Sequence, residues 1–313
     1  MSDNNRLGVF KTYKLYVGGK FPRSESGRVY EVTTKTSAAG TAGKGQWLAN
    51  APQSSRKDAR DAVVAARKAF GGWSGATAYN RGQVLYRVAE MLEGRKEQFV
   101  REVAASEGLS KSKAAAAVDA AIDRWVWYAG WTDKIGQIAG GANPVAGPFF
   151  NLSTPEPTGV VAVLAPQKSS FLGLVSVIAP VIATGNTAVV IASADAPLPA
   201  LSLGEVLATS DVPGGVVNIL SGVTAEIAAP LAAHQDVNAI DLTGADAELA
   251  KELEIAAADN LKRVLRPQPV DTEGASDSED WLASPGTHRL TAFLETKTVW
   301  HPTGALGAAG SSY

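Results

Sequence analysis

Between residues 159 and 265 short β-branched runs alternate with longer, periodically apolar stretches. Gly159 to Ala165, Thr187 to Ile191, Val216 to Leu220, Ala239 to Leu242 and Lys262 to Leu265 read as strands. The intervening stretches read as helices, from about Phe171, and over about 198–209, 225–233 and 247–259. Strands that each return through a helix build a parallel sheet, and such a sheet must be covered on both faces. The expected fold is therefore α/β, a doubly wound, Rossmann-like parallel sheet. The 45% hydrophobic content of the 313 residues supplies the core that this requires.

The stretch from Ser169 to Ala194 carries no charged side chain and is long enough to cross a bilayer. Pro180 and the Gly185–Asn186 pair divide it into shorter elements, so it reads as a buried helix–turn–strand unit. Met1 to Lys20 mixes Asp3, Arg6, Lys11 and Lys14 with polar residues and lacks the apolar core of a secretory signal. A cytoplasmic protein without a membrane partner is expected. A net charge of −2 argues against a nucleic-acid partner, which would call for a basic face.

Ahead of the alternating region, Tyr13 to Val32 suggests short strands with Gly18–Gly19 as a hairpin turn. Ser54 or Ser55 is placed to cap a helix whose apolar stripe is Ala59, Ala62, Val63, Ala66 and Phe70, ending at Gly71–Gly72. Three more helices are expected at about 78–92, 96–107 and 113–134, the last carrying Trp125, Tyr128 and Trp131 at helical spacing as core. Together these helices form an N-terminal layer. Residues 135–150, punctuated by Gly and Pro, suit an extended hairpin.

Past Pro267 the pattern changes. Asp271 to Asp280 holds five acidic residues and no basic one, which reads as a solvated linker. Thr291 to Trp300 reads as a terminal strand. No metal site is expected: His234, His288 and His301 are scattered, and Asp277, Glu279 and Asp280 belong to the linker. Asp195 and Asp241, at strand ends, are expected to cap turns. Lys168 follows the first strand at the edge where such sheets bind ligands, and is read as facing solvent or a partner.

Several segments in order carry a family resemblance. They are Tyr16-Val-Gly-Gly-Lys20, Pro157-Thr-Gly-Val-Val-Ala-Val-Leu-Ala-Pro166, Ala183-Thr-Gly-Asn-Thr-Ala-Val-Val190 and Val212-Pro-Gly-Gly-Val-Val-Asn-Ile219. His234-Gln-Asp-Val-Asn-Ala-Ile240 with Thr243-Gly244, Asn260-Leu-Lys-Arg-Val264 and Phe293-Leu-Glu-Thr-Lys-Thr-Val-Trp300 complete the series. The chain resembles the aldehyde dehydrogenase superfamily over about 13–265 and 290–301. The resemblance implies a nucleotide-binding-like domain over 1–134 and 156–270, and an oligomerisation arm from 135–155 and 288–302. Residues 271–287 stand as an acidic linker in place of the cysteine-bearing catalytic domain, so the chain reads as a truncated member.

The reaction that the resemblance implies needs a cysteine thiolate to attack the aldehyde and a glutamate to activate water. This chain has no cysteine. Pro166-Gln167-Lys168 stands where the family has Pro-Trp-Asn, and Arg266-Pro267-Gln268-Pro269 where it has Leu-Glu-Leu-Gly-Gly. The catalytic positions Lys168 and Pro267 are thus degenerate. So is the cofactor site around Pro166, Ser193, Gly244 and Ala245. The ribose-binding Lys-Pro-Ser-Glu has become Ile191-Ala-Ser-Ala194, and the Gly-Ser-x-x-x-Gly turn reads Gly244-Ala-Asp-Ala-Glu-Leu249. No cofactor is expected, with weak NAD(P) binding at most.

The arm, as the resemblance implies, packs against a neighbouring subunit, and Phe293, Leu294, Thr296, Thr298, Val299 and Trp300 are its expected interface residues. The expected function is a catalytically inactive subunit that assembles with a full-length aldehyde dehydrogenase paralogue as a hetero-oligomer. The alternatives are an NAD(P)-dependent oxidoreductase active only within a complex, and a homo-oligomeric scaffold.

Overall fold

The computed structural model describes residues 9–35, 45–266 and 280–304. Strand β1 (Val29–Thr33) pairs antiparallel with β2 (Trp47–Pro52). The hairpin expected around Gly18–Gly19 is reduced to two isolated bridges, Val17 to Lys20 and Tyr16 to Ile219. The second bridge matters more, because it lays Tyr16 along an outer strand of the main sheet.

Helix α1 (Arg56–Gly75) starts at Ser55, whose hydroxyl accepts from the Asp58 amide while Asp58 Oδ2 accepts from the Ser55 amide at 2.7 Å. It does not stop at Gly71–Gly72 as expected. Trp73, the buried residue that follows directly, donates from Nε1 to the Ile182 carbonyl at 2.9 Å and holds the last turn in place. Helices α2 (Ala78–Glu93) and α3 (Lys96–Glu107) follow. Helix α4 (Lys111–Ala129) is capped by Ser110 and ends earlier than its periodicity predicts. Trp125 and Tyr128 are buried in the core, while Trp131 is partly buried and lies 5.4 Å from the Trp127 ring.

The expected hairpin over 135–150 is corrected in its details. It opens with a helical turn, α5 (Ile135–Ile138), and continues through β3 (Gly141–Asn143) into the longer β4 (Phe149–Pro157). Then comes the alternating region: β5 (Val160–Leu164), α6 (Leu172–Ala183), β6 (Thr187–Ile191), α7 (Leu198–Ala208), β7 (Val217–Leu220), α8 (Thr224–Ala232), β8 (Ala239–Asp241), α9 (Ala247–Ala258) and β9 (Arg263–Leu265). All five strands are parallel, in the order β7-β6-β5-β8-β9. The winding leaves β5 in both directions, which makes the β5–β8 boundary the switch point of the sheet. Pro180 does not divide the uncharged stretch but lies inside α6; the break falls at Gly185, which takes φ +91°.

Alternation along each strand sorts residues between two cores. Val161 and Val163 join Ala188, Val190, Val217 and Ile219 on the face covered by α6 and α7. Val160, Ala162 and Leu164 join Val189 and Ile191 on the face covered by α1, α8 and α9. Each fully buried Val, Leu or Ile contributes about 1.5–3 kcal/mol, which is why a sheet covered on both sides is stable here. The N-terminal helices are therefore not one layer. Helix α1 packs on one face with α8, whereas α2, α3 and α4 stack outside α6 and α7 on the other.

The chain closes with α10 (His288–Thr291) and β10 (Leu294–Pro302), which pairs antiparallel with β4 from Leu294–Pro157 to Pro302–Phe149. The terminal strand thus begins and ends later than expected. The arm is a three-stranded sheet of order β10-β4-β3. Among the described residues no helix is long and apolar enough to cross a membrane.

Candidate functional site

At the carboxyl ends of the parallel strands lies a cavity of about 520 Å³. Each strand around the switch point sends a residue to its wall: Gln167 after β5, Ala194 after β6, Gly222 after β7 and Gly244 after β8. The first residues of α8 and α9 form its floor, with Val223, Ala225 and Leu249. Tyr30 in β1 and Gln53 just after β2 close it from the N-terminal hairpin. Such a crevice is where open α/β sheets bind ligands.

The predicted positions fall around this cavity in different ways. Pro166 and Ser193 are buried behind the wall; Ser193 Oγ donates to the Gln167 carbonyl at 2.9 Å and accepts from the Ala196 amide. Gln167 spans the gap between β5 and β6, donating to the Ala165 carbonyl at 3.0 Å and accepting from the Ala194 amide at 2.9 Å. Both ends of its amide are therefore engaged in the wall. Gly244 donates its amide to the Leu164 carbonyl, and a Cβ there would sit 2.0 Å from the Ala165 carbonyl oxygen. Only glycine fits so close an approach. Ala245 follows in the turn, with its amide bonded to Leu242. Lys168 is exposed, one residue beyond the lining. Pro267, Asp277 and Glu279 lie outside the described residues.

The charge pattern of the cavity is acidic. Asp246 caps α9, its Oδ1 accepting from the Leu249 amide at 2.9 Å, so the helix N-terminus is already filled by a carboxylate. Glu248 and Glu226 stand in the first turns of α9 and α8. None of the described lining residues is basic. Asp195, just past β6, pairs with Lys35 at 3.3 Å. Burial raises the Tyr30 phenol well above its usual range, with Asp195 adding to the effect. No cluster of three or more metal-ligating side chains occurs among the described residues.

Beside the cavity, Asp241 at the end of β8 does cap the following turn, its Oδ1 accepting from Thr243 N at 2.9 Å and from Thr243 Oγ1. Its other oxygen takes Arg289 Nη1 at 3.0 Å, and Arg289 Nη2 donates to Thr243 Oγ1 at 3.1 Å. Both partners are almost fully buried. The Arg289 guanidinium also lies 5.4 Å from the Trp281 ring centroid. The Trp281 and Ala283 carbonyls accept from Arg124 Nη2 at 2.6 and 3.1 Å. Within residues 280–287, Trp281 packs against the larger core, while Asp280, Leu282, Ala283, Ser284 and Gly286 are exposed. No local period marks Arg289, Tyr30 or Gln53, which come to the site from distant segments.

The arm keeps most but not all of its expected surface. Phe293 is buried, and its carbonyl accepts from Asn186 Nδ2 at 3.0 Å, so it belongs to the domain rather than to an interface. Leu294 is partly buried against the same core. Thr296 and Thr298 are exposed and Val299 is partly so. Trp300 is 56% exposed and meets Phe149 edge-on at 5.7 Å. Arg263 in β9 clamps Glu295 in β10 through two bonds of 2.7 and 2.8 Å.

Fold and crevice together define a doubly wound α/β domain of the nucleotide-binding type, fitted with a three-stranded arm. The model of the aldehyde dehydrogenase family matches residues 31–266, and the chain belongs to that family. It is 31% identical over 269 residues to the putative aldehyde dehydrogenase DhaS of Bacillus subtilis, covering 84% of this chain and 52% of that one. To retinal dehydrogenase 2 of Gallus gallus it is 34% identical over 263 residues, covering 81% and 48%. Among solved structures, the NAD+ complex of an aldehyde dehydrogenase from Bacillus cereus superposes with a TM-score of 0.75 at 26% identity, covering 81% of this chain and 50% of that one. The chain spans about half the length of the curated relatives it matches.

Proposed function

We propose that this chain is a catalytically silent subunit of the aldehyde dehydrogenase family that assembles through its arm with a full-length, cysteine-bearing relative and stabilises or regulates it. The observation that carries this reading is the absence of any cysteine from the chain, which leaves it no thiolate for the family's covalent step. The arm supports the assembly half of the proposal. Trp300, Phe149 and Phe150 stay exposed on it, and among the described residues β3 and β10 are both unpaired at their outer edges.

The start of α9 is ill suited to a pyrophosphate, because Asp246 caps it with Glu248 beside it, and Glu226 stands in the first turn of α8, whose N-terminus has no side-chain cap. We therefore read the subunit as acting without NAD(P). Its setting is taken as the cytoplasm, alongside the soluble partner.

The test is a tagged pull-down from the native host, followed by native mass spectrometry of the intact complex. A stoichiometric, cysteine-containing aldehyde dehydrogenase is the expected companion. A defined homo-oligomer alone would reject the reading in favour of a scaffold. Aldehyde-dependent NAD(P) reduction by the purified chain would reject the silent assignment.

A further inference from the structure

We infer that a second cavity, between the N-terminal segment and the β1–β2 hairpin, binds a small aromatic oxyanion. Its flat ring rests on Phe10 and Trp47, and Arg23 and Arg28 hold the charged head group. This cavity shares no lining residue with the crevice of the parallel sheet. Val29 lines the one and Tyr30 the other, as the alternation of side chains along β1 requires, so the hairpin stands between them.

Size sets the first limit. A volume of about 340 Å³ lies at the lower end of the usual range for small-molecule sites, about 300–1,000 Å³. Its apolar wall is left open to water: Phe10 is 70% exposed, Val29 57% and Trp47 40%. Phe10 and Trp47 meet edge-on with ring centroids 5.3 Å apart, and Trp47 Nε1 donates to Asn50 Oδ1 at 3.2 Å, which fixes the indole. A flat ring laid in that corner buries apolar surface, extends the edge-to-face contact and has little conformational freedom to lose.

The charged side is a built turn. Residues 23–28 read Arg-Ser-Glu-Ser-Gly-Arg, and the Gly27 amide donates to the Ser24 carbonyl at 2.9 Å. Closing this turn, with Gly27 at φ +67°, brings the two flanking arginines to one cavity. Asp58, buried behind the turn, fixes it: Oδ2 accepts from Ser24 Oγ at 2.8 Å and Oδ1 from the Glu25 amide at 3.0 Å. The Gln53 amide holds the Arg28 carbonyl at 2.9 Å. The backbone that carries both guanidinium groups is therefore set before any ligand arrives.

Charge then selects the head group. Arg95, Arg263, Arg266 and Arg289 each hold a carboxylate, whereas among the described residues Arg23 and Arg28 hold none. Lys11, on the same wall, is committed to Glu205 at 3.0 Å and to Ser202 Oγ at 2.8 Å. Glu25, within the turn, accepts from Ser55 Oγ at 3.0 Å, and none of the described lining residues is acidic. Two unshared guanidinium forks beside an apolar corner favour a carboxylate or phosphate over a neutral group, because each fork matches a pair of oxygens. An anion without a ring leaves the corner unfilled, and a ring without a charge leaves the arginines unmet.

Isothermal titration calorimetry of the full chain at low ionic strength tests the inference, with 2-naphthoate, 2-naphthyl phosphate, uncharged 2-naphthamide and acetate as probes. At least one naphthyl anion should give a saturable one-site heat and bind at least about tenfold more tightly than the amide, and acetate should give none. Either anion in the lead supports the site, and the tighter of the two names the head group. Arg23→Gln with Arg28→Gln should bring the anion to within about threefold of the amide, with the far-ultraviolet circular dichroism unchanged because both side chains are exposed. Trp47→Ala should weaken the anion at least about fivefold while its preference over the amide persists. Silence from both anions, an amide that binds as tightly as they do, or anion binding that survives the double arginine variant would each overturn the inference. The pull-down scores the assembly reading independently, because a chain with no protein partner can still bind a small acid.

Discussion

Arg289, in the short segment that returns from residues 280–287 to the arm, closes on the buried carboxylate of Asp241 at 3.0 Å. The two residues lie 48 positions apart in sequence, at the end of β8 and in α10. The pair seals the carboxyl end of the parallel sheet beside the cavity. Thr243 satisfies the second carboxylate oxygen, so the charge is both paired and hydrogen-bonded.

Removing only one partner should be costly. Arg289→Ala leaves Asp241 charged and buried, and a loss of about 3–5 kcal/mol is expected in urea unfolding. The double variant Arg289→Met with Asp241→Leu should recover most of that loss. A loss below about 1 kcal/mol for Arg289→Ala would show that the pair is solvated.

Asn186 is the second latch. Its side chain accepts from the Gly159 amide at 2.8 Å and donates to Thr184 Oγ1 at 3.1 Å and to the Phe293 carbonyl at 3.0 Å. Asn186→Ala strands these buried groups at about 1–3 kcal/mol for each one left unsatisfied. Hydrogen exchange should accelerate first in 280–304 and at the start of β5, and unchanged protection there would refute the latch.

Glu107, at the end of α3, accepts from Ser170 Oγ at 2.7 Å. Burial raises its carboxyl above the ordinary 4.5 and outweighs the hydrogen bonds from Ser170 and Phe171 that pull it down. The folded state then holds this proton more tightly than the unfolded one. Its stabilising contribution is complete below the ordinary value and is lost as pH rises through the raised one. Relative to Glu107→Gln, the unaltered chain should lose stability as pH rises above 4.5. A flat difference between the two denaturation curves would contradict this.

Trp300 tests the arm without disturbing the domain. It is exposed, and its ring partner is Phe149 on the neighbouring strand. Trp300→Glu should cost less than about 1.5 kcal/mol in stability. The same change should release the captured aldehyde dehydrogenase in native mass spectrometry, and retention of the full complex would move the interface elsewhere.

Local pattern carried a large part of this molecule. The β-branched runs at 160–164 and 187–191 are strands because a sheet covered on both faces needs apolar residues on both. Ser110 and Thr77 cap their helices through contacts that span three residues, which any sequence window contains. The missing thiolate was equally plain. β2 escaped because Trp-Leu-Ala-Asn-Ala-Pro has weak β-branched content, and its strand state comes from pairing with β1.

What the sequence alone determined is the element types of the alternating region from β5 to β9, the parallel class of the sheet and the family, since these rest on periodicities of two and 3.6 residues and on ordered short motifs. Tertiary structure alone decided that α1 lies on the opposite face of the sheet from α2–α4, that Phe293 turns inward, and that Arg289 meets Asp241. It also decided that Tyr30 and Gln53 close a cavity built after β5, β6, β7 and β8. These pairings join residues far apart in the chain, and their free energy comes from burial and charge that exist only once the sheet has brought them together.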